Sequence, residues 1–426
     1  MGRTHAMSAG RIGEMMVNSL LAEACWGTWD EAAHGHAVGQ KTDGPKLPAA
    51  ASWTPVLPAP QVPCPRTSEP LIFPLTLHPL YSGTFPREQV DKPSGMISYS
   101  ELLEDVLKVT KTARVHLKTR FTEPGQPGQL YRPHYERLIQ ALSLPPGVEL
   151  PHAPKAIGEG RRFIIPSFFE LVLSLERAGR DFSIVFRTFG VDLGDVADEW
   201  NSFCTGEHPC YPGVRMDGSG SSGIDRTLTL PDDSGAWYRY GDGDADAADK
   251  VTLSLVDGES GLVVVSEGAA ACAQAIDAKL KDPHTATLGL RDYYPHWAGQ
   301  NESDAAGKLL LVDTSPDALC HHIFFDDNIE RDRAHIVDCR DNQTGKSLPY
   351  KSTRGRWLVK AEPLHSIVDP QYFIRMVRSC EAALSAGAGR LQEDGASDQA
   401  DAHRRLLQAT RMQIVKLRAE LGLLNH

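Results

Sequence analysis

The sequence has no run of about eighteen apolar residues, so no membrane-spanning helix is expected. It has no excess of basic charge. Lys and Arg number 44 against 55 Asp and Glu, for a net charge of −11, which argues against non-specific binding to nucleic acid. A small anionic ligand in a local site stays open. It has no Cys-x-x-Cys pair. The eight cysteines are scattered, the closest being Cys204 and Cys210. That excludes a disulfide framework and the usual zinc spacings. His208 between those two cysteines lacks a fourth soft ligand nearby, so zinc is not expected there. Reduced thiols in a cytoplasmic protein fit this pattern. The residues before Ser8 hold no apolar segment, so no secretory leader is expected. A Gly-x-Ser-x-Gly elbow and a Walker loop are also missing, which removes the hydrolase and nucleotide-binding signatures they carry.

What is present divides the chain. At 426 residues it is long enough for two or three domains. Residues 8–25 read as an amphipathic helix capped by Ser8, with Ile12, Met15, Met16, Leu20 and Leu21 at helical spacing, so 1–25 are assigned to the core. Residues 26–160 form an irregular, then helical, cap-like region. Prolines from Pro45 to Pro79 bar long elements, Leu71-Ile72-Phe73 and Leu75-Thr76-Leu77 suggest edge strands, and helices are predicted at 99–116 and 132–143. From 161 to 385 a helix, a Gly turn, an apolar strand and another helix alternate, the rhythm of a parallel α/β sheet. Within it, 212–256 reads as an insert, with a hairpin pairing Arg226–Leu230 with Ala236–Tyr240. Later strands are predicted at Ile323–Phe325, Ala334–Val337 and Arg356–Lys360. Residues 386–400 read as a linker and 401–426 as a C-terminal helix open to packing or self-association. The predicted fold is α/β, a three-layer Rossmann-like parallel sheet with a mainly helical cap-like N-terminal region.

The chemistry centres on His321-His322-Ile323-Phe324-Phe325-Asp326-Asp327-Asn328. A short apolar strand ends in two adjacent carboxylates, which resist ionising together unless a cation such as Mg²⁺ sits between them. The plain alternative is a polar strand end that caps the next turn. Thr188 stands at another strand end and Lys308 at a strand start. A hydroxyl, a lysine and an acid pair are what a phosphoryl group needs for positioning and charge compensation. Asp332 is a third acid, open to pairing with Arg331 or Arg333 instead. His321 and His322 point to opposite faces of a strand and do not share one ion. The run Asp242, Asp244, Asp246, Asp249 fails the EF-hand template at Ala247 and Leu253, and reads as a solvated turn.

In order and spacing these features resemble the haloacid dehalogenase-like (HAD) superfamily, over residues 161–338. Leu175 to Thr188 looks like that family's second motif. Lys308, eighteen residues before Asp326, is similar to the third. Ile323 to Asp327, with Asp332 beyond, looks like the fourth, metal-binding motif. The resemblance implies an Mg²⁺-dependent phosphohydrolase acting on a small phosphorylated molecule, with Thr188 and Lys308 catalytic and Asp326, Asp327 and Asp332 metal ligands. The family's first motif, a strand ending in Asp-x-Asp, has no counterpart. Asp242-Gly243-Asp244 has the spacing but stands out of order. The chain begins just past where that motif would sit, through a late start or a genuine loss. Without the nucleophile no aspartyl-phosphate forms, and Mg²⁺ binding is expected to be weak or lost. A non-catalytic binding or scaffold protein is the competing expectation.

Overall fold

The computed structural model describes residues 9–29, 53–55, 61–63, 70–72, 96–145, 162–230, 234–239, 251–257, 261–267, 269–280, 286–315, 318, 320–330 and 332–393. The expected helix at 401–426 and the acidic run at 242–249 lie outside the described residues.

The N-terminal region is built round one helical core. Helix α1 (Ala9–Ala24) buries Val17, Leu21 and Ala22. Strand β1 (Trp26–Trp29) pairs with β2 (Trp53–Pro55) and β5 (Ile97–Ser98), and β3 (Gln61–Pro63) pairs with β4 (Pro70–Ile72). Ser98 Oγ accepts the Glu101 N–H at 3.1 Å and Glu101 Oε2 accepts the Ser98 N–H at 2.9 Å. This capping box starts a turn at Tyr99–Glu101 that runs into a π-helix at Leu102–Val106. The single helix predicted over 99–116 is broken at Lys108, whose φ is 50°, and α2 (Lys111–Lys118) begins after it. Helix α3 (Arg132–Leu142) buries Tyr135, Leu138 and Leu142. Helix α1, the Tyr99–Val106 turns and α3 meet in one cluster with Phe121, Tyr131, Leu364 and Ile367. The helix assigned to the α/β core from sequence therefore buries its apolar face here. Buried Asn18 ties α1 to the loop after α2: its Oδ1 accepts from Thr122 N at 3.0 Å and Thr122 Oγ1 at 2.6 Å. Asn18→Ala orphans both donors and lowers unfolding free energy by about 1–3 kcal/mol. A urea titration reads this as a lower midpoint.

The rest of the chain is mixed α/β with parallel strands. Helix α4 (Pro166–Arg177) opens with Pro at its first position and closes on Gly179, at φ 59°. Arg180 N–H bonds Leu175 O at 3.0 Å and Gly179 N–H bonds Glu176 O at 2.9 Å, a Schellman close. The chain then enters β6 (Ile184–Thr188). A five-stranded sheet follows in the order β6-β10-β7-β8-β9. β6, β10 (Thr287–Asp292) and β7 (Ser234–Arg239) are parallel. β8 (Val251–Asp257) and β9 (Gly261–Glu267) extend it antiparallel. Two further parallel pairs are β11 (Lys308–Val312) with β13 (Val337–Asp341), and β12 (Phe324–Asp326) with β14 (Leu358–Lys360).

Side chains of β6 alternate between two covers. Ile184 and Phe186 pack with α4 and α5 (Leu193–Cys204) through Phe169, Val172, Trp200 and Phe203. Val185 faces Leu288, Leu290, Leu309 and Ile276 of α6 (Ala269–Leu280). Helices α7 (Tyr294–Gly299), α8 (Tyr350–Thr353), α9 (Pro363–Val368) and α10 (Tyr372–Glu393) complete the described chain. Among the described residues, no helix is long and apolar enough to cross a membrane.

Three expectations are corrected. Arg226–Leu230 is not a hairpin arm. Its backbone is claimed by α5: Trp200 Nε1 donates to Arg226 O at 2.6 Å, Asn201 Nδ2 to Leu228 O at 3.0 Å, and Leu228 N–H to Asn201 Oδ1 at 2.7 Å. β7 pairs instead with β8, antiparallel, and both lie in the five-stranded sheet. The strand expected at Ala334–Val337 starts at Val337 instead, after His335 turns the backbone at φ 52°. Residues 386–393, read as linker, continue α10.

Candidate functional site

β12 ends where the sequence placed the chemistry. Alternation sends Phe325 into the apolar cluster against Phe373, while Phe324 turns toward the charged groups. Asp326 follows and is buried. Lys308, at the start of β11, is also buried, and its Nζ bonds Asp326 Oδ2 at 2.9 Å. The second Asp326 oxygen accepts from Asn328 N–H at 2.9 Å and from Asn328 Nδ2 at 3.3 Å. The carboxylate is thus compensated at both oxygens, as a buried charge requires.

Thr188 arrives from β6. Its hydroxyl donates to Asp192 Oδ1 at 2.7 Å and accepts from Gly190 N–H at 2.8 Å, closing a tight turn. A Cβ at Gly190 would meet Asp192 Oδ1 at 2.7 Å, so a side chain there displaces the carboxylate that takes the Thr188 hydroxyl. Phe189 in that turn lies 5.2 Å from Lys308 Nζ. The structure therefore brings the Thr188 turn, Lys308 and Asp326 into one neighbourhood.

Asp327 points outward, and its Oδ1 accepts from Asn328 Nδ2 at 3.2 Å. Although the residue reaches the surface, loss of water round the carboxyl raises its pKa, and the adjacent Asp326 charge raises it further. Asp332 is exposed and does not join the pair. Among the described residues no three His, Cys, Asp or Glu side chains are gathered as a metal ion needs. The donor set falls short of an Mg²⁺ site: Asp326 is bonded to Lys308 and Asn328, which leaves Asp327 as the one carboxylate beside it. His321 and His322 diverge, the first to Arg356 O at 2.6 Å and the second toward Asp277 at 3.8 Å.

The sequence reading missed a second buried pair beside this one. Arg187 Nε donates to Asp292 Oδ2 at 3.0 Å, Arg187 Nη2 bonds the other oxygen, and Nη1 donates to Leu309 O at 2.6 Å. Both side chains are almost wholly buried. The signal was there: each residue sits at or next to the end of a parallel strand, where α/β sheets collect polar groups. The Arg187 guanidinium lies 5.5 Å from the Phe324 ring, so β6 and β12 are neighbours. Yet β6 is paired with β10 and β12 with β14, and among the described residues no strand joins the two.

The chain matches no protein-family model, no curated protein and no solved structure.

Proposed function

We propose that this chain is a HAD-like protein related to Mg²⁺-dependent phosphohydrolases, without phosphatase activity as it stands. The Lys308–Asp326 bond carries the reading, because it joins two of the expected motifs across eighteen residues in a buried setting beside the Thr188 turn. Helices on both sides of β6 fit a three-layer Rossmann-like core. Thr188 and Lys308 keep the positions of phosphate-contacting groups, and Mg²⁺ affinity is weak or lost. A phosphomonoester such as p-nitrophenyl phosphate, tested with and without Mg²⁺, is turned over no faster than background. Robust turnover abolished by Asp327→Asn would overturn the reading.

A second reading, a non-catalytic binding or scaffold protein, is favoured by one observation. Every charged group of the site except Asp327 is satisfied within the protein: Lys308 by Asp326, Arg187 by Asp292. Calorimetry showing no Mg²⁺ binding, together with sedimentation in which self-association disappears on deleting 401–426, selects this reading over the first.

A further inference from the structure

A second polar cluster lies away from these strand ends, between α5 and the start of α4. Glu199 and His208 are both fully buried, and Glu199 Oε1 sits 3.3 Å from His208 Nε2. The other Glu199 oxygen accepts the N–H of Phe163 at 2.6 Å and of Ile164 at 2.5 Å, which locks the carboxylate. The Phe169 and Tyr211 rings pack on the imidazole, each 5.2 Å from it. His208 Nδ1 accepts the Cys210 N–H at 3.1 Å. Arg162 Nη2 donates to Cys210 Sγ at 3.1 Å. The Nε of Arg162 is buried without a hydrogen-bond partner among the described residues. The turn that brings His208 back depends on Gly206, at φ 74°, where a Cβ would meet Val214 O at 2.5 Å.

Carboxylate, imidazole, thiol and guanidinium thus stand in sequence. The other described cysteines differ. Cys25, Cys204, Cys339 and Cys380 are buried, and burial pushes each of their thiols up. Cys210 is only half-buried. Burial works against its thiolate too, but His208 and then Arg162 outweigh it and the net shift is downward. His208 moves the opposite way: burial opposes its charge, and Cys210 and Glu199 together overcome that. Nothing in the phosphoryl reading uses these four residues.

We propose that Cys210 is a nucleophilic thiolate site for small hydroperoxides, with Arg162 holding the anion and Glu199–His208 as a positioning pair. The thiolate sulfur attacks one peroxide oxygen. An S–O bond forms as the O–O bond breaks. The sulfur gives up two electrons and becomes sulfenic acid, and the peroxide is reduced to hydroxide or alkoxide, which leaves as water or alcohol after taking a proton from solvent. The peroxide's leaving oxygen departs beside the Arg162 guanidinium, whose Nη2 already bonds the sulfur.

The full chain treated with limiting hydrogen peroxide and dimedone at pH 7, then digested and read by mass spectrometry, tests this. Cys210 acquires the adduct first, about tenfold faster than exposed Cys320. Arg162→Met slows Cys210 about tenfold with an unchanged circular dichroism spectrum, and Arg162→Lys restores most of the rate. Glu199→Gln, which keeps volume and removes charge, also slows it. Equal labelling of Cys320 and Cys210, or an Arg162→Met rate matching the parent, would overturn the proposal.

Discussion

Lys308→Met loses about 3–5 kcal/mol of stability, the cost of leaving a buried carboxylate without its partner. Both side chains of the pair are less than a tenth exposed, at 8% and 7%, so water cannot take over the role of the ammonium. Asn328 does not rescue Asp326 either, because its amide is uncharged. The companion experiment is the double variant Lys308→Met with Asp326→Asn. Removing both charges recovers most of the loss, since the desolvation penalty goes with them. Urea denaturation of the two single variants and the double variant closes the cycle. Single-site losses that simply add would show that the two residues act independently, and the buried pair would then not hold the strand ends together.

The second large effect is acid sensitivity at His365 on α9. Burial lowers its pKa from the ordinary 6.5 to about 4, with Asp369 pulling it back up and Arg375 pushing it further down. The unfolded chain takes up this proton at about pH 6.5, the folded chain only near 4. Stability is therefore full above about pH 6.5 and falls as the pH drops to about 4, by about 3 kcal/mol at 1.4 kcal/mol per pH unit. Two raised histidines, His208 and His322, the second to about 10 through Asp277 and Cys320, supply an alkaline limb opposite in sense to this acid limb: their stabilisation is complete below about pH 6.5 and fades as pH rises above that. The two limbs are separable in a stability profile taken from pH 4 to 8. His365→Phe flattens the acid limb and leaves the alkaline limb alone. A variant with the parental acid slope would place the sensitivity elsewhere.

The features legible in sequence were those with a strong local pattern. Ile323-Phe324-Phe325-Asp326 read as a strand with a polar end because apolar bulk and acid change over in one step. The Gly179 turn and Pro166 helix start read equally well, because both residues fix backbone conformation by themselves. What stayed hidden depends on partners far along the chain. Val337-Asp338-Cys339-Arg340-Asp341 looks like a solvated polar stretch, yet all five residues are buried. The stretch pairs in register with β11, from Lys308 opposite Val337 to Val312 opposite Asp341. Glu199 was likewise invisible, one acid in an ordinary helix, until Phe163, Ile164 and His208 closed on it. Asp332, whose spacing fitted a motif, stands exposed. Fold class came from periodicity, but the site turned on pairings that periodicity does not encode.

Among the described residues, β6 and β12 are each paired on one side, which has a consequence for solvent exchange. A strand paired on one side only commits alternate amides to its neighbour and turns the others away. In deuterium oxide, β10, flanked by β6 and β7, keeps its amide protons along its length. β6 and β12 instead lose every second one early, and the resulting ladder of fast and slow amides marks the strands paired on one side among the described residues.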